Sequence, residues 1–234
     1  MKPSEKILFI SNWIKNYVEE MPSKAQSLVI GVSGGIDSSV SSTLSAMTGL
    51  KTIVLSIPIK QKTSQHDLSL KHQEWLIKNF KNVKAHTVNL DKLFETFKDS
   101  LSKFDSDLGM ANSRARLRMT TLYQVAAANK GIVVGTGNKV EDFGVGFYTK
   151  YGDGGVDISP IADCNKTEVW EIGRELNLLK EIIDADPTDG LWDDGRTDEG
   201  QLGLKYSELE EAMNNPNSPN REKYEKIRKL NLHK

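Results

Sequence analysis

The sequence contains a single cysteine, Cys164, which excludes an internal disulfide framework and a zinc site built from several cysteines. It has no run of about 18 apolar residues, and its N-terminus lacks the apolar core of a signal peptide. Basic and acidic residues nearly balance, 31 against 32, so no strong overall field draws the chain to nucleic acid or an anionic membrane. These absences predict a soluble, cytoplasmic protein with no nucleic-acid or membrane partner.

The length of 234 residues corresponds to between one and two domains, at about 150 residues for each. The sequence has no internal repeat, no low-complexity tract and no clear linker. We therefore expect one domain, 1–234.

Short apolar segments alternate with helical patterns, which predicts an α/β fold with a parallel, doubly wound sheet. The predicted strands are 28–32, 52–57, 84–88 and 132–134. The predicted helices are about 5–20, 38–47, 68–80, 90–101, 112–129, 166–177 and 221–234, and the glycine-rich 135–160 is predicted to be irregular. Because ligands of such sheets bind at the carboxyl ends of strands, the loops after Val32 and Val134 should lie on one edge.

A glycine loop, Ser33-Gly34-Gly35-Ile36-Asp37-Ser38, joins the first strand to a helix. Adjacent glycines permit positive φ, and the backbone N–H groups at a helix N-terminus form an anion site. The carboxylate of Asp37 would repel a phosphate there unless Mg²⁺ lay between them. The alternative is a structural turn with Asp37 as a helix cap. The loop lacks the Gly-Lys-Ser/Thr ending of the ATPase phosphate loop and the glycine spacing of the dinucleotide fingerprint.

This loop resembles the signature of the N-type ATP pyrophosphatases, which have a Rossmann-like sheet of the adenine nucleotide alpha hydrolase type. These enzymes bind ATP and cleave it between the α- and β-phosphates, which releases pyrophosphate as the substrate is adenylylated. Three further segments narrow the resemblance to the NAD synthetase family over nearly the whole chain: 115–119 (Ala-Arg-Leu-Arg-Met), 135–141 (Gly-Thr-Gly-Asn-Lys-Val-Glu) and 146–157, which includes Thr-Lys-Tyr-Gly-Asp-Gly-Gly. Residues 187–189 and 198–203 match later signatures of the same family.

The resemblance implies an AMP-forming carbon–nitrogen ligase. ATP would adenylylate the nicotinate carboxylate of deamido-NAD, and ammonia would then displace AMP to give NAD. Implied with this activity are Mg²⁺ as cofactor, ATP as co-substrate and a homodimer with the dinucleotide site at the subunit interface. Glutamine-dependent relatives carry a large N-terminal glutaminase domain, whereas only 30 residues precede Gly31, so free or partner-delivered ammonia is the expected nitrogen donor.

The resemblance also implies roles for single residues. Asp37 and Glu141 match the magnesium ligands, although Glu141 could instead be a solvated loop acid. Asp37 and Lys166 are the expected catalytic pair, and the alternative for Lys166 is an exposed lysine in the first turn of a helix, where the dipole disfavours it. ATP contacts are expected from Gly31, Val32, Ser33, Gly34, Gly35, Ile36, Asp37, Ser38, Thr136, Lys166 and Thr188.

For deamido-NAD, the resemblance implies contacts from Arg116, Lys150, Asp157, His233 and Lys234. Arg114 and Arg118 share a helix face from which Arg116 points away, and Arg116 is the preferred ligand. Many relatives have Asp-His where this chain has Gly137-Asn138, so the group that orients ammonia is left open.

The ten acidic and two basic residues of 184–211 predict a solvated loop and surface helix, and we also hypothesise that 189–199 forms a mobile lid. Two rival functions remain. Another ATP pyrophosphatase acting on tRNA would favour a basic surface and catalytic cysteines, and a non-catalytic nucleotide sensor would not need paired acids.

Overall fold

The protein is described by a computed structural model that covers residues 1–61, 63–192 and 194–234. Strands β1 (Ser27–Gly31), β2 (Thr52–Ser56), β3 (Val83–Thr87) and β4 (Gly131–Val133) form a parallel sheet in the order β3-β2-β1-β4. A parallel bridge between Val134 and Ile158 extends this pairing beyond β4. The order reverses between β1 and β4, and this switch point is where α/β sheets bind ligands. The predicted parallel, doubly wound sheet is confirmed.

Helices surround the sheet and continue beyond it. They are α1 (Pro3–Glu20), α2 (Ile36–Met47), α3 (Thr63–Asn79), α4 (Asp91–Ser100), α5 (Asp107–Ala128), α6 (Lys166–Glu175), α7 (Lys180–Ile183), α8 (Asp198–Leu202), α9 (Tyr206–Asn214) and α10 (Arg221–Asn231). Within the described ranges, no helix is both long and apolar enough to cross a bilayer.

Alternate residues of the strands supply two separate cores. Leu28 and Ile30 of β1 face one core with α1, α2 and α6, whereas Val29 faces the other with α4 and α5. All three side chains are fully buried, which explains why this segment reads as a continuous apolar run. Burial on both faces agrees with the position of β1 between β2 and β4. The loop that follows β1 therefore lies at the carboxyl ends of the strands.

A third cluster of buried residues joins the segment after β4 to the C-terminal helices. Val140 and Val145 pack there against Tyr206, Leu209 and Tyr224. Val140–Val145 forms a π-helical turn, so the prediction of an irregular 135–160 is wrong for these six residues. Such turns are rare and frequently occur at functional sites.

The acidic segment 184–211 is not simply solvated. Asp198 is 5% exposed and Tyr206 is 1% exposed, because α8 and α9 pack against the π-helical turn. The prediction of a solvated segment was wrong here, because local charge density does not reveal a core formed with residues about 60 positions away. Position 193 of the hypothesised lid lies outside the described residues.

Candidate active site

The loop after β1 forms a tight turn that opens the N-terminus of α2. Gly34 has φ of +90°, a conformation that favours glycine. The Ser33 and Ser38 hydroxyls lie 3.0 Å apart, and Ser38 donates to the Gly35 carbonyl at 3.0 Å. Gly35 is the N-cap of α2, so Asp37 is not the cap residue. The turn therefore leaves the helix N-terminus open to an anion.

Lys166 joins the two acidic residues that the sequence singled out. Its Nζ donates to Asp37 Oδ2 at 2.5 Å and to Glu141 Oε1 at 2.9 Å. The Lys166 side chain is 2% exposed and the carboxylates are 17% and 15% exposed. An exposed first-turn lysine is thereby ruled out, and so is a solvated loop acid at Glu141. The start of α2, the segment after β4 and the start of α6 thus meet in one charged group, which consists of Asp37, Glu141 and Lys166.

Burial and neighbouring charge act in opposite directions on this group. Burial raises the pKa of Asp37 above its usual range, Lys166 lowers it and the charge of Glu141 raises it. Burial lowers the pKa of Lys166, but Asp37 and Glu141 outweigh burial and raise it above its ordinary value. Lys166 is therefore a fixed cation at neutral pH, because proton loss would leave two buried acids facing each other.

Asn138 bridges the two acidic segments. Its Nδ2 donates to Asp37 Oδ1 at 3.1 Å, and its Oδ1 accepts from the backbone N–H groups of Val140 and Glu141, each at 3.1 Å. The side chain is fully buried. At the neighbouring Gly137, a Cβ would lie 2.2 Å from a carboxylate oxygen of Asp142. Asn138 thus orients Asp37 and Glu141, and the absence of a side chain at Gly137 leaves room for Asp142.

Tyr206 and Asp198 reach the same group from the C-terminal helices. The Tyr206 hydroxyl donates to Glu141 Oε1 at 2.6 Å and to Asp198 Oδ2 at 3.3 Å, and its ring lies 4.6 Å from Lys166 Nζ. Burial, reinforced by Glu141, raises the pKa of Tyr206, which keeps the hydroxyl protonated as a donor. Sequence reasoning named Asn138 only as a departure from many relatives and missed Tyr206, because no local pattern places either residue beside Asp37.

A cavity of about 330 Å³ opens above this charged group. Phe147 and Tyr148 line its wall, and the end of the chain contributes Lys234. Of the predicted ATP contacts, Gly34 does not line the cavity, and the others do: Gly31, Val32, Ser33, Gly35, Ile36, Asp37, Ser38, Thr136, Lys166 and Thr188.

Acidic side chains outnumber basic ones along the cavity wall: Asp37, Glu141, Asp142, Asp153, Asp186, Asp189 and Asp198 against Arg118, Lys166 and Lys234. Burial, followed by the charge of Glu141, raises the pKa of Asp142 to about 7. Asp153 accepts from the Thr149 N–H through Oδ1 at 3.0 Å. Two anionic substrates can enter such a site only if cations offset this charge.

Four of the five residues expected to contact deamido-NAD lie outside this cavity. Arg116 is exposed and donates from Nε to the Lys150 carbonyl at 3.1 Å, and Lys150 Nζ donates to the His233 carbonyl at 3.3 Å. Asp157 accepts from the Val133 N–H at 2.7 Å and from the Tyr123 hydroxyl at 3.0 Å. Arg116, Lys150 and His233 are thus linked to one another at the surface, whereas Asp157 is bonded to β4 and α5.

The two acids form a suitable donor set for magnesium. Asp37 and Glu141 lie within hydrogen-bond distance of one Lys166 Nζ, so one cation can contact both carboxylates. Among the described residues, no group of three or more His, Cys, Asp or Glu side chains could hold a metal ion. Mg²⁺ is usually held by one or two carboxylates together with substrate phosphates and water, so two acids beside an anion site fit this ion.

Comparison with known proteins agrees with this arrangement. Residues 7–234 match the family described as NAD synthase. The NH3-dependent NAD+ synthetase of Carboxydothermus hydrogenoformans is 38% identical over 214 residues, which are 89% of this chain and 84% of that protein.

Two solved structures extend the likeness to the fold. NMN synthetase from Francisella tularensis superposes with a TM-score of 0.91 at 33% identity, covering 100% of this chain and 95% of the other. NH3-dependent NAD synthetase from Campylobacter jejuni has a TM-score of 0.78 over 99% and 96% of the chains, and at 22% identity it shows the fold alone. The family match over nearly the whole sequence confirms the prediction of an ammonia-dependent, NAD-forming ligase, and the chain belongs to the NAD synthase family.

Proposed function

We propose that ATP and the nicotinate group of deamido-NAD meet in the cavity above Lys166, Asp37 and Glu141. The reaction is that of the family, the ATP-dependent amidation of deamido-NAD with ammonia to give NAD, AMP and pyrophosphate. The observation that carries the assignment is the buried Lys166, which contacts both carboxylates at the open N-terminus of α2. This arrangement combines an anion site with two carboxylates that share one cation.

The chemistry requires two displacements. A nicotinate oxygen attacks the α-phosphorus of ATP and pyrophosphate leaves, which converts a poor leaving group into AMP. Ammonia nitrogen then attacks the carbonyl carbon, the bond to the AMP oxygen breaks, and the nitrogen loses a proton. Holding both substrates in one cavity supplies much of the rate by orientation alone.

Residues of the glycine loop are proposed to bind the β- and γ-phosphates of ATP. Backbone N–H groups in the first turn of α2 supply the donors, with the Ser33 hydroxyl beside them. Thr136 and Thr188, which also line the cavity, would contact ATP as well. The segment 189–199 is proposed to cover the reacting groups as a lid.

Mg²⁺ is proposed to bind Asp37 and Glu141 together with phosphate oxygens. When bound, it would supply positive charge to the pyrophosphate as that group leaves. Lys166 holds the two carboxylates in place through its own charge, and Asn138 and Tyr206 fix their orientation. These contacts support a site that is formed before the nucleotide arrives.

Arg116, Lys150, Asp157, His233 and Lys234 are proposed to contact deamido-NAD in a homodimer. The exposed position of the first two beside Tyr151, itself 73% exposed, supports a site completed by a second copy of the chain. Free ammonia is the proposed nitrogen donor, which a relative named for its dependence on ammonia supports, and we also propose a cytoplasmic location and a single synthetase domain. Sedimentation equilibrium tests the dimer.

Release of pyrophosphate tests the proposed function. The purified protein with ATP and Mg²⁺ should release pyrophosphate only when deamido-NAD is added, and should form NAD only when ammonium is also present. Glutamine in place of ammonium should give no NAD. ATP binding without acceptor-dependent pyrophosphate release would refute the proposal in favour of a nucleotide sensor.

Nicotinate mononucleotide is a second candidate acceptor. The relative from Francisella tularensis, at 33% identity, is named for forming NMN, whose carboxylate precursor has no second nucleotide. The ratio of kcat/KM for the two acceptors in the same assay decides between them.

A further inference from the structure

Arg118 contributes a guanidinium to the cavity wall, on the helix face opposite to Arg116. Its Nε donates to the Ile57 carbonyl at 3.0 Å, just beyond the end of β2. Its Nη2 is buried and has no hydrogen-bond partner among the described residues. One anchored nitrogen and one unsatisfied nitrogen leave part of the guanidinium fork available to a ligand.

The other cations of the cavity are already engaged. Lys166 is paired with Asp37 and Glu141, and Lys234 Nζ donates to the Gly146 carbonyl at 2.8 Å. Arg118, in contrast, forms no ion pair with a carboxylate in the described part of the chain.

The surroundings of Arg118 keep it charged. Burial, followed by the nearby charge of Arg114, lowers the pKa of Arg118 to about 10, while Asp189 and Asp153 act in the opposite direction. The guanidinium is therefore protonated at neutral pH. A buried N–H of a cation that has no acceptor is costly for the folded protein unless an acceptor arrives with a ligand.

We propose that Arg118 is a substrate-binding residue that donates from Nη2 to an oxyanion of a bound nucleotide. The ligand chemistry is a phosphate or carboxylate oxygen, because a guanidinium forms its strongest hydrogen bonds with these groups. ATP and the pyridine nucleotide both carry such oxygens. The inference rests on the proposed function only in assuming that these are the two ligands of the cavity.

Binding measurements separate the two sources. Calorimetry with ATP alone and with deamido-NAD alone should be carried out on the wild type, Arg118→Gln and Arg118→Lys. We expect Arg118→Gln to weaken binding of one ligand by about 10- to 100-fold, the loss typical of a hydrogen bond between charged partners. Arg118→Lys should be intermediate, since it keeps the charge without the fork. Arg174→Gln, an exposed arginine on α6, should bind both ligands as the wild type does.

The ligand affected identifies the oxyanion: a loss confined to ATP assigns an ATP phosphate, and one confined to deamido-NAD assigns the acceptor. Unchanged affinities for both overturn the proposal. Equal loss of both affinities with a lowered Tm in both Arg118 variants also overturns it, because that pattern reports a structural role at Ile57. An inactive wild type defeats the proposed function but leaves the ATP measurement interpretable. An active wild type with unaltered Arg118→Gln affinities defeats this inference alone.

Discussion

Lys166 Nζ lies 2.5 Å from Asp37 Oδ2, which ties the first residue of α6 to the first turn of α2. These residues are 129 positions apart. The pair links the anion site of α2 to the segment after β4 that carries Glu141. Substitution of Lys166, Asp37 or Glu141 should therefore affect both the charge of the site and the local stability.

Replacing Lys166 by methionine should abolish turnover and destabilise the fold. The change leaves two buried carboxylates without a cation, for which a loss of about 3–5 kcal/mol in unfolding free energy is typical. Chemical denaturation without Mg²⁺ measures this loss. As a control, Lys71→Met removes an exposed pair with Glu181 and should cost less than about 1 kcal/mol. Near-normal stability of Lys166→Met would contradict the pairing.

Asp37→Asn and Glu141→Gln should each reduce turnover strongly while leaving the fold intact. Each variant removes one charge from the donor set proposed for Mg²⁺ while keeping the side-chain shape. Titration of Mg²⁺ in the pyrophosphate assay should show a raised requirement for the ion. Asp163→Asn, at an exposed carboxylate, serves as the control. If both variants retain near-normal activity at low Mg²⁺, the metal assignment is wrong.

Tyr206→Phe should raise the Mg²⁺ requirement about 10- to 100-fold, the range found when a group that orients a metal ligand is removed. The variant keeps the ring beside Lys166 but loses the 2.6 Å bond to Glu141. Tyr224→Phe removes another buried hydroxyl bond, to the Gly144 carbonyl, and provides the stability control. Similar Mg²⁺ requirements in both variants would assign Tyr206 a purely structural role.

Asp198→Asn should stabilise the protein increasingly as pH rises. Burial, followed by the charge of Glu141, raises the pKa of Asp198 to about 7 from its ordinary 3.8. The folded wild type therefore binds this proton more tightly than the unfolded chain does, and it loses stability between about pH 4 and pH 7. Urea denaturation at several pH values should show a gain for the variant on the order of 1–3 kcal/mol above pH 7. A gain that does not change with pH would contradict the raised pKa.

The sheet was predictable because a strand that is buried on both faces has a continuously apolar sequence. Val29 and Ile30 point to opposite cores, so their segment is apolar without alternation, and the loop after it carries the glycines that the turn requires. The bounds shift by only a few residues, except that α3 begins at Thr63 and α5 at Asp107, about five residues earlier than predicted. The first turn of α3 is polar, which hides where that helix begins.

The remaining site residues depend on tertiary contacts that leave no local pattern. Helical spacing placed Arg114 and Arg118 on one face and Arg116 on another, but it cannot say which face meets the cavity. The resemblance favoured Arg116, whereas Arg118 lines the cavity. Tyr206 lies in an acidic segment that reads as surface, and its packing against the π-helical turn becomes visible only in three dimensions.

Helix α10 holds the carbonyl groups of the π-helical turn. Arg228 donates to the Phe143 and Gly144 carbonyls, and Asn231 Nδ2 donates to the Val145 carbonyl at 2.9 Å. Loss of these contacts would open the segment that carries Glu141 while the sheet stayed intact. Local opening of this region, measured by hydrogen exchange, should therefore require less free energy than global unfolding. The enzyme would then lose activity on mild denaturation before it loses its fold.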